Sequence, residues 1–256
     1  NRDHDKLAAC RTFSEEETFN VLKMNLLAKF DLTELTKIKL FREVPNADLL
    51  AISERLYRKT FSAGSTLMNA DQSGEAVYFI RSGAVKVHIE QADGCEVIIS
   101  ILGPGESVGE MSALDQQHRS ASVTTLEESE LLWMDCATFK RFLAITPKLS
   151  HNLACLLSAR LRQANEQIQL LAAGDIESRV ARQLIGFAEK YGQAESNGNI
   201  SIPVRLTQKD LAGLIGATRE SVNKIVVSYK ERGILSATRN HYWTIHNRHF
   251  LASRCG

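Results

Sequence analysis

The stretch GPGESVGEMSALDQQHRSASVTT, residues 103–125, decides the fold that we predict for this chain of 256 residues. Its glycines let the backbone approach a ligand closely, because glycine has no Cβ. Glu110 can accept hydrogen bonds from hydroxyl groups, and Arg119 with Ser120 can hold an anion. These residues predict a phosphate-binding segment. The segment is too short to fold alone, so the residues around it must form its scaffold.

The chain around this segment predicts an all-β scaffold. Between Tyr57 and Met134, short runs of β-branched and aromatic residues alternate with turn signals. The dipeptide Asp93-Gly94 between two of these runs indicates a hairpin. Regularly spaced strands favour a barrel or jelly roll, which can enclose a small ligand. The predicted strands are residues 77–80, 85–89, 96–101, 121–125 and 131–134.

Two helices are predicted after the strands, and the second is long. Asp135 is the N-cap of the first, and Pro147 begins the second, which runs to about residue 173. Apolar residues recur along the long helix at alternating spacings of three and four, which favours a parallel seam between two copies of the chain. A helix buried in a monomeric core is the alternative interpretation. The residues of this predicted seam are Ala154, Leu157, Leu161, Ala164, Ile168 and Leu171. A second stripe is expected to pack on the barrel of the same chain and consists of Leu149, Leu153 and Leu156.

Residues 206–233, LTQKDLAGLIGATRESVNKIVVSYKERG, have the pattern of a helix-turn-helix followed by a β-hairpin wing. Thr207 and Thr218 cap the two helices, and the side chain of Asp210 can accept a hydrogen bond from the backbone of Thr207. Gly216 makes the turn between the helices, and Gly233 ends the second helix. Polar residues on the second helix can read base edges, because Arg pairs with guanine and Glu accepts from cytosine. An αα-hairpin with a solvated charged face is the alternative. The predicted DNA contacts are Thr207, Gln208, Thr218, Arg219, Glu220, Ser221, Asn223 and Lys224, with Arg239 at the tip of the wing.

The charge distribution supports a polyanionic partner for the C-terminal end only. Residues 201–256 carry nine Lys and Arg against three Asp and Glu, a net charge of +6, whereas the first 200 residues carry −5. Gly174 and Asp175 lie between the two parts, since Gly suits the end of one helix and Asp the N-cap of the next. We interpret this pair as a domain boundary and a hinge.

The composition argues against a metal site and a membrane span. The five cysteines show no C-x₂-C spacing of the kind that binds zinc or an iron–sulfur cluster, so we expect free thiols, no metal and no cofactor. No run approaches 18 apolar residues, and the first ten residues, NRDHDKLAAC, lack the apolar core of a signal peptide. The sequence predicts a soluble, cytoplasmic protein.

Barrel, long helix, hinge and helix-turn-helix, in this order, resemble the Crp/Fnr family of bacterial transcription regulators, and most closely its catabolite-activator (cyclic-AMP receptor) subset. The resemblance covers residues 40–247. It is carried by Gly109-Glu110-Met111-Ser112-Ala113-Leu114 with Arg119-Ser120-Ala121, and by Thr218-Arg219-Glu220-Ser221-Val222 with Lys224.

The resemblance implies an α+β fold in four parts. A helical extension spans residues 1–38, and a cyclic-nucleotide-binding β-roll, or jelly roll, with flanking helices spans 39–146. The dimerisation helix and hinge span 147–174. A winged helix-turn-helix DNA-binding domain spans 175–256.

The resemblance also implies roles for the matching residues. Glu110, with the Gly109 backbone beside it, would bind a ribose 2′-hydroxyl, Arg119 would pair with a cyclic phosphate and Ser120 would hydrogen-bond it. Ala164 and Asn165 replace two hydroxyl residues that hold adenine in the catabolite activator. An amide suits guanine as well as adenine, so cyclic AMP is favoured and cyclic GMP competes with it. The predicted ligand residues are Gly109, Glu110, Met111, Ser112, Arg119, Ser120, Ala121, Ala164 and Asn165.

The predicted function is that of a homodimeric transcription regulator whose operator binding is gated by a cyclic nucleotide. Its predicted partners are palindromic double-stranded DNA, the nucleotide, a second copy of the chain and RNA polymerase, with no membrane. A family regulator that needs no ligand, or takes another, is one alternative. An enzyme acting on a phosphodiester through Glu110, His118 and Arg119 is a remote alternative, because the segment offers neither a metal cluster nor a nucleophile–base pair.

Overall fold

A computed structural model describes residues 29–91 and 96–255. Its N-terminal half contains two four-stranded antiparallel sheets, with strand orders β1-β8-β3-β6 and β2-β7-β4-β5. Apolar side chains of both sheets, among them Ile80, Val123 and Leu131, pack between them. The strands are β1 (Tyr57–Phe61), β2 (Thr66–Met68), β3 (Ala76–Ser82), β4 (Val85–Glu90), β5 (Glu96–Leu102), β6 (Ser107–Val108), β7 (Ser122–Thr125) and β8 (Ser129–Asp135).

The predicted β-roll is confirmed, and the structure adds strands β1, β2 and β6 to those expected from the sequence. The predicted turn at Asp93-Gly94 lies outside the described residues. On either side of it, β4 and β5 pair antiparallel, with Glu90 opposite Glu96.

Helices cover the outer face of the first sheet. Neighbouring residues of a strand point to opposite faces, so Leu131 faces the other sheet while Leu132 faces the helices. Phe41 and Phe79 bring the two layers together, with ring centroids 4.8 Å apart. These helices are α1 (Leu32–Leu35), a 3₁₀ turn (Lys39–Phe41), α2 (Asn46–Arg55), α3 (Glu110–Asp115) and α4 (Cys136–Ile145). Of the predicted extension at 1–38, residues 1–28 lie outside the described chain.

The long helix α5 (Pro147–Ala173) carries two apolar stripes with different surroundings. Leu149, Leu153 and Leu156 are buried against the helices and sheet of the β-roll, as predicted. The seam residues are mostly open to solvent in the single chain: Leu161 and Ile168 are each 64% exposed. This exposure contradicts the alternative of a helix buried in a monomeric core.

The C-terminal part combines four helices with a small sheet of order β11-β12-β10-β9. The strand that ends at Ile202 is short because the next residue, Pro203, cannot donate to a strand ladder. Residues 193 and 194 form a strand of only two residues. The elements are α6 (Ile176–Tyr191), β9 (Gln193–Ala194), β10 (Ile200–Ile202), α7 (Gln208–Ile215), α8 (Arg219–Glu231), β11 (Leu235–Ala237), β12 (Trp243–Ile245) and α9 (Arg248–Ser253).

The C-terminal part packs on the outer face of the second sheet. Ile98, Ile101 and Leu126 of the β-roll belong to the same buried apolar cluster as the core of the helix-turn-helix. The β-roll is therefore packed against other elements on both faces, although Val97 and Ile99 of the edge strand β5 remain 40% and 52% exposed. Within residues 29–91 and 96–255, no helix is long and apolar enough to cross a membrane.

The break between α5 and α6 falls at the predicted residues. Gly174 follows the end of α5, and the side chain of Asp175 accepts a hydrogen bond of 2.7 Å from the backbone N–H of Ser178. Hydrogen bonds from the backbone and side chain of Ser178 hold the pKa of Asp175 below its ordinary value of 3.8.

We expect Asp175→Ala to lower the free energy of unfolding by about 1 kcal/mol at pH 7, because it removes an N-cap. Asp175→Asn, which retains a capping oxygen, is the matched control and should lose much less. Since the folded state lowers the pKa of Asp175, its carboxylate stabilises the fold above pH 3.8 and stops doing so as the pH falls through the lowered pKa. Urea titrations at pH 7 and pH 3 measure both effects, and equal losses in the two variants at pH 7 would contradict the capping role.

Candidate functional site

Gly109 marks the point where strand β6 turns into helix α3. It has a φ of 86°, a left-handed conformation that L side chains rarely adopt. A Cβ at this position would lie only 2.6 Å from Nη1 of Arg119 and 2.8 Å from the carbonyl oxygen of Ala76. The glycine is therefore needed for the turn and for the close approach of the Arg119 guanidinium.

Arg119 is buried, with 5% of its surface exposed. Its Nη1 donates to the carbonyl of Gly109 at 2.8 Å and to Oγ of Ser112 at 2.6 Å, and its Nη2 donates to the carbonyl of Ala76 at 2.6 Å. A guanidinium has five N–H donors, so three are used by these residues, and within the described part of the chain two remain for an anion. The fold thus holds a positive charge in place at the predicted phosphate position.

Glu110 is the first residue of α3 and is 1% exposed. Its Oε1 accepts a hydrogen bond from Nη1 of Arg160, on helix α5, and Nη2 of Arg160 donates to the carbonyl of Ser107 at 2.6 Å. The other oxygen, Oε2, is buried and has no hydrogen-bond partner among the described residues. A buried carboxylate oxygen without a donor is costly, so this atom is available to a ligand hydroxyl.

All the predicted ligand-binding residues between positions 109 and 121 line one cavity of about 70 Å³. Ligand pockets usually measure about 300–1,000 Å³, so this cavity is smaller than a typical mononucleotide site, and we call this arrangement closed. Polar and charged groups lie at one side of it and apolar side chains at the other. The lining residues are Gly109, Glu110, Met111, Ser112, Arg119, Ser120, Ala121 and Arg160, with Met68, Val87, Leu102, Val108 and Val123.

Ala164 and Asn165 do not line the cavity and are exposed on α5. The residue of α5 that reaches the cavity is Arg160, which the sequence reasoning missed. Arg160 lies four residues before Ala164, one helical turn away and on the same side of the helix. That spacing was the available signal. The pairing of Arg160 with Glu110, however, spans 50 positions, so no local pattern shows it.

The two caps of the helix-turn-helix are confirmed. Thr207 and Asp210 form a reciprocal capping box at the start of α7, with hydrogen bonds of 3.1 and 2.9 Å. Thr218 accepts from the backbone N–H of Ser221 at 3.2 Å at the start of α8. Gly216 turns the chain between the helices with a φ of 60°. Helix α8 buries Val222, Val226 and Tyr229.

The opposite face of α8 is open to solvent. Arg219, Glu220, Asn223 and Lys224 are exposed on two successive turns, so they form one surface. Arg239 is exposed between β11 and β12, which pair as the predicted wing. Thr218 is exposed beside this surface, whereas Thr207, Gln208 and Ser221 are half-buried.

Comparison with protein-family models divides the chain in the same order as the fold. Residues 58–146 match the cyclic nucleotide-binding domain, and residues 178–254 match the Crp-like helix-turn-helix domain.

Individual proteins agree with these matches. A CRP-like cAMP-activated global transcriptional regulator of Mycobacterium tuberculosis is 33% identical over 199 residues, covering 78% of this chain and 88% of the relative. The cyclic AMP receptor protein of Thermus thermophilus is 31% identical over 178 residues, covering 70% of this chain and 79% of the relative. The structure of FixK2 from Bradyrhizobium japonicum superimposes with a TM-score of 0.69 at 19% identity, covering 78% of this chain and 98% of that one.

These relatives and domains are those of transcription regulators and not of enzymes. The pocket at Glu110 and Arg119 and the exposed face of α8 lie within the two matched domains. The chain belongs to the Crp/Fnr family of DNA-binding transcription regulators and carries the cyclic nucleotide-binding domain of that family.

Proposed function

We propose that the protein is a homodimeric regulator, acting in the bacterial cytoplasm, whose binding to palindromic DNA is gated by cyclic AMP. The observation that carries this proposal is the contact of Arg160 with Glu110. It joins the pocket to helix α5, and the same helix presents the exposed apolar seam. We assign residues 39–146 to the nucleotide-binding domain, 147–174 to the dimer helix and hinge, and 175–256 to the DNA-binding domain.

The polar groups of the pocket suit a ribose and a cyclic phosphate. The two remaining N–H donors of Arg119, with the exposed Ser120 hydroxyl, would bind the phosphate, and Oε2 of Glu110 would accept from the 2′-hydroxyl. The cAMP-activated relative supports cyclic AMP as the ligand. Ala164 and Asn165, one turn beyond Arg160, would meet the base when the pocket opens. The amide of Asn165 keeps cyclic GMP as the competing ligand.

Gating follows from the closed cavity. A ligand shifts an equilibrium only by the difference between its affinities for the two arrangements. A cavity of about 70 Å³ is smaller than a typical nucleotide site, so we infer that binding favours an arrangement in which α3, Arg160 and α5 have moved apart. We infer that this movement passes along α5 to the hinge at Gly174 and Asp175 and sets the spacing of two α8 helices on DNA.

The closed cavity also supports a second candidate, a family regulator that binds DNA without a ligand and keeps the pocket as structure. Titration of the full-length protein with cyclic AMP, cyclic GMP and cyclic dinucleotides, followed by DNA binding on selected duplexes, separates the two. A change in DNA affinity of about fivefold or more on adding a cyclic nucleotide supports gating. A smaller change for every ligand supports the second candidate.

Arg119→Ala should weaken cyclic AMP binding about ten- to hundredfold, because it removes charge-assisted hydrogen bonds to the phosphate. Arg119→Lys keeps the charge but loses the fork of donors, so it should recover only part of the affinity. Isothermal titration calorimetry measures the affinities. Thermal unfolding shows whether each variant still folds without the contacts of Arg119 to Ala76 and Gly109. A folded Arg119→Ala variant with unchanged affinity would exclude the phosphate role.

Ile168→Glu should weaken the dimer at least about a hundredfold, because each copy loses a buried apolar side chain and gains a charge at the seam. Gln169→Glu is the matched control: it adds the same charge one residue further on, away from the stripe. Sedimentation velocity measures both. A dimeric Ile168→Glu variant would place the interface elsewhere, and a monomeric wild-type protein would refute the dimer.

Arg219→Ala should cost about 1–3 kcal/mol on the selected operator and relax the base preference at one position. Fluorescence anisotropy on the operator and on a scrambled duplex of the same length measures the difference. A uniform loss on both duplexes would identify Arg219 as a backbone contact and contradict its role in reading bases.

A further inference from the structure

The loop at residues 103–106, which connects β5 to β6, is bound by two side chains from the end of helix α6. The hydroxyl of Tyr191 accepts from the backbone N–H of Gly103 at 3.0 Å and lies 3.4 Å from the carbonyl of Ile101. Nζ of Lys190 lies 3.1 Å from Oε1 of Glu106. These contacts join the C-terminal part of the chain to the β-roll.

The contact at Gly103 is close as well as polar. A Cβ on Gly103 would lie 3.0 Å from Cε1 of Tyr191 and 3.3 Å from its Cζ. The Tyr191 ring also stacks near Phe187 of its own helix, with centroids 6.3 Å apart. The ring of Tyr191 therefore lies between Phe187 of its own helix and the backbone at Gly103, where any side chain would crowd it.

Glu106 is 3% exposed, so its charge requires partners. Burial would raise the pKa of Glu106, but the ammonium groups of Lys190 and Lys39 outweigh burial and hold that pKa below its ordinary value. Lys39 comes from the 3₁₀ turn on the β-roll side, whereas Lys190 comes from α6. One carboxylate therefore has one partner on each side of the boundary between the two parts.

The loop continues directly into the pocket. Ser107, the residue after Glu106, accepts from Arg160 through its carbonyl, and Gly109 and Glu110 follow two and three positions later. A movement of the loop towards or away from α6 must therefore change the position of the pocket residues. In the arrangement with the Tyr191 and Lys190 contacts formed, the cavity is only about 70 Å³.

We propose that Tyr191 and Lys190 form an interdomain latch on residues 103–106, which stabilises the closed pocket and lowers the affinity for both nucleotide and operator DNA. The direction of the effect on DNA rests on the proposed function, in which nucleotide binding and DNA binding favour the same arrangement. A contact that stabilises the arrangement which both ligands disfavour lowers the apparent affinity for each of them.

Tyr191→Phe tests the latch with little change in packing, because the ring is retained and only the hydroxyl is lost. Gly103 N–H then lacks its partner in the closed arrangement. We expect cyclic AMP to bind about two- to tenfold more tightly, and nucleotide-free protein to bind the operator more tightly by a similar factor. Lys190→Gln should act in the same direction, which provides a second variant if the first is poorly folded.

Two control variants separate a latch from general weakening. Lys39→Gln removes the other partner of Glu106 on the β-roll side, and it should not raise either affinity. Glu189→Gln lies beside Lys190 on α6 but breaks only the exposed ion pair with Arg248 inside the DNA-binding part. It should leave both affinities unchanged. An equal effect of Lys39→Gln would overturn the interdomain role of Lys190.

Amide hydrogen exchange of the full-length protein without nucleotide gives a readout that does not depend on the ligand. Faster exchange over residues 101–106 in Tyr191→Phe and Lys190→Gln, but not in Glu189→Gln, supports the latch. Unchanged exchange, or unchanged or weaker nucleotide binding in both latch variants, overturns it. A wild-type protein that binds no cyclic nucleotide refutes the proposed function, while the exchange measurement still decides whether the contact holds the two parts together.

Discussion

The structure depends on a buried guanidinium. Arg119 loses most of its hydration, and a buried charge is tolerated only where hydrogen bonds replace water. Two backbone carbonyls, of Ala76 and Gly109, and the Ser112 hydroxyl provide them. The turn into α3 must then keep a positive φ at Gly109. Gly74 must also lack a side chain, since a Cβ there would lie 2.3 Å from Oγ of Ser112.

Helix α5 links this site to the rest of the molecule because its faces have different partners. Leu149, Leu153 and Leu156 attach its first half to the β-roll. Arg160 then binds Glu110, and beyond this point Leu161, Ile168 and Leu171 are exposed. Arg160 and the seam residues lie on one continuous helix, so a displacement of α5 at Arg160 would also move the seam. The pocket and the seam are therefore mechanically connected in a single element.

Features set by neighbouring residues could be predicted from the sequence, and features set by distant ones could not. Helix caps and the turn between the helices depend on residues within a few positions, so the local sequence identifies them. Examples are the caps Asp135, Thr207 and Thr218 and the turn at Gly216. Strands β6 and β9 have two residues each, which is too few to show the alternation of apolar and polar side chains that indicates a strand. Arg160 and Tyr191 act on partners 50 and 88 positions away, and nothing in their local sequence identifies those partners.

The boundary between the two parts combines contacts that respond differently to movement. Ile98 and Ile101 pack against the DNA-binding part in one apolar cluster, whose hydrophobic stabilisation is not directional. At the edges, Gln167 donates to the carbonyl of Leu214 at 2.5 Å, and Arg205 donates to the carbonyl of Leu126 at 3.1 Å. Hydrogen bonds weaken steeply with distance and angle, so a small rotation exchanges them for water while the apolar contact persists. The polar contacts therefore give the boundary a preferred orientation, while the apolar cluster contributes burial that depends much less on direction.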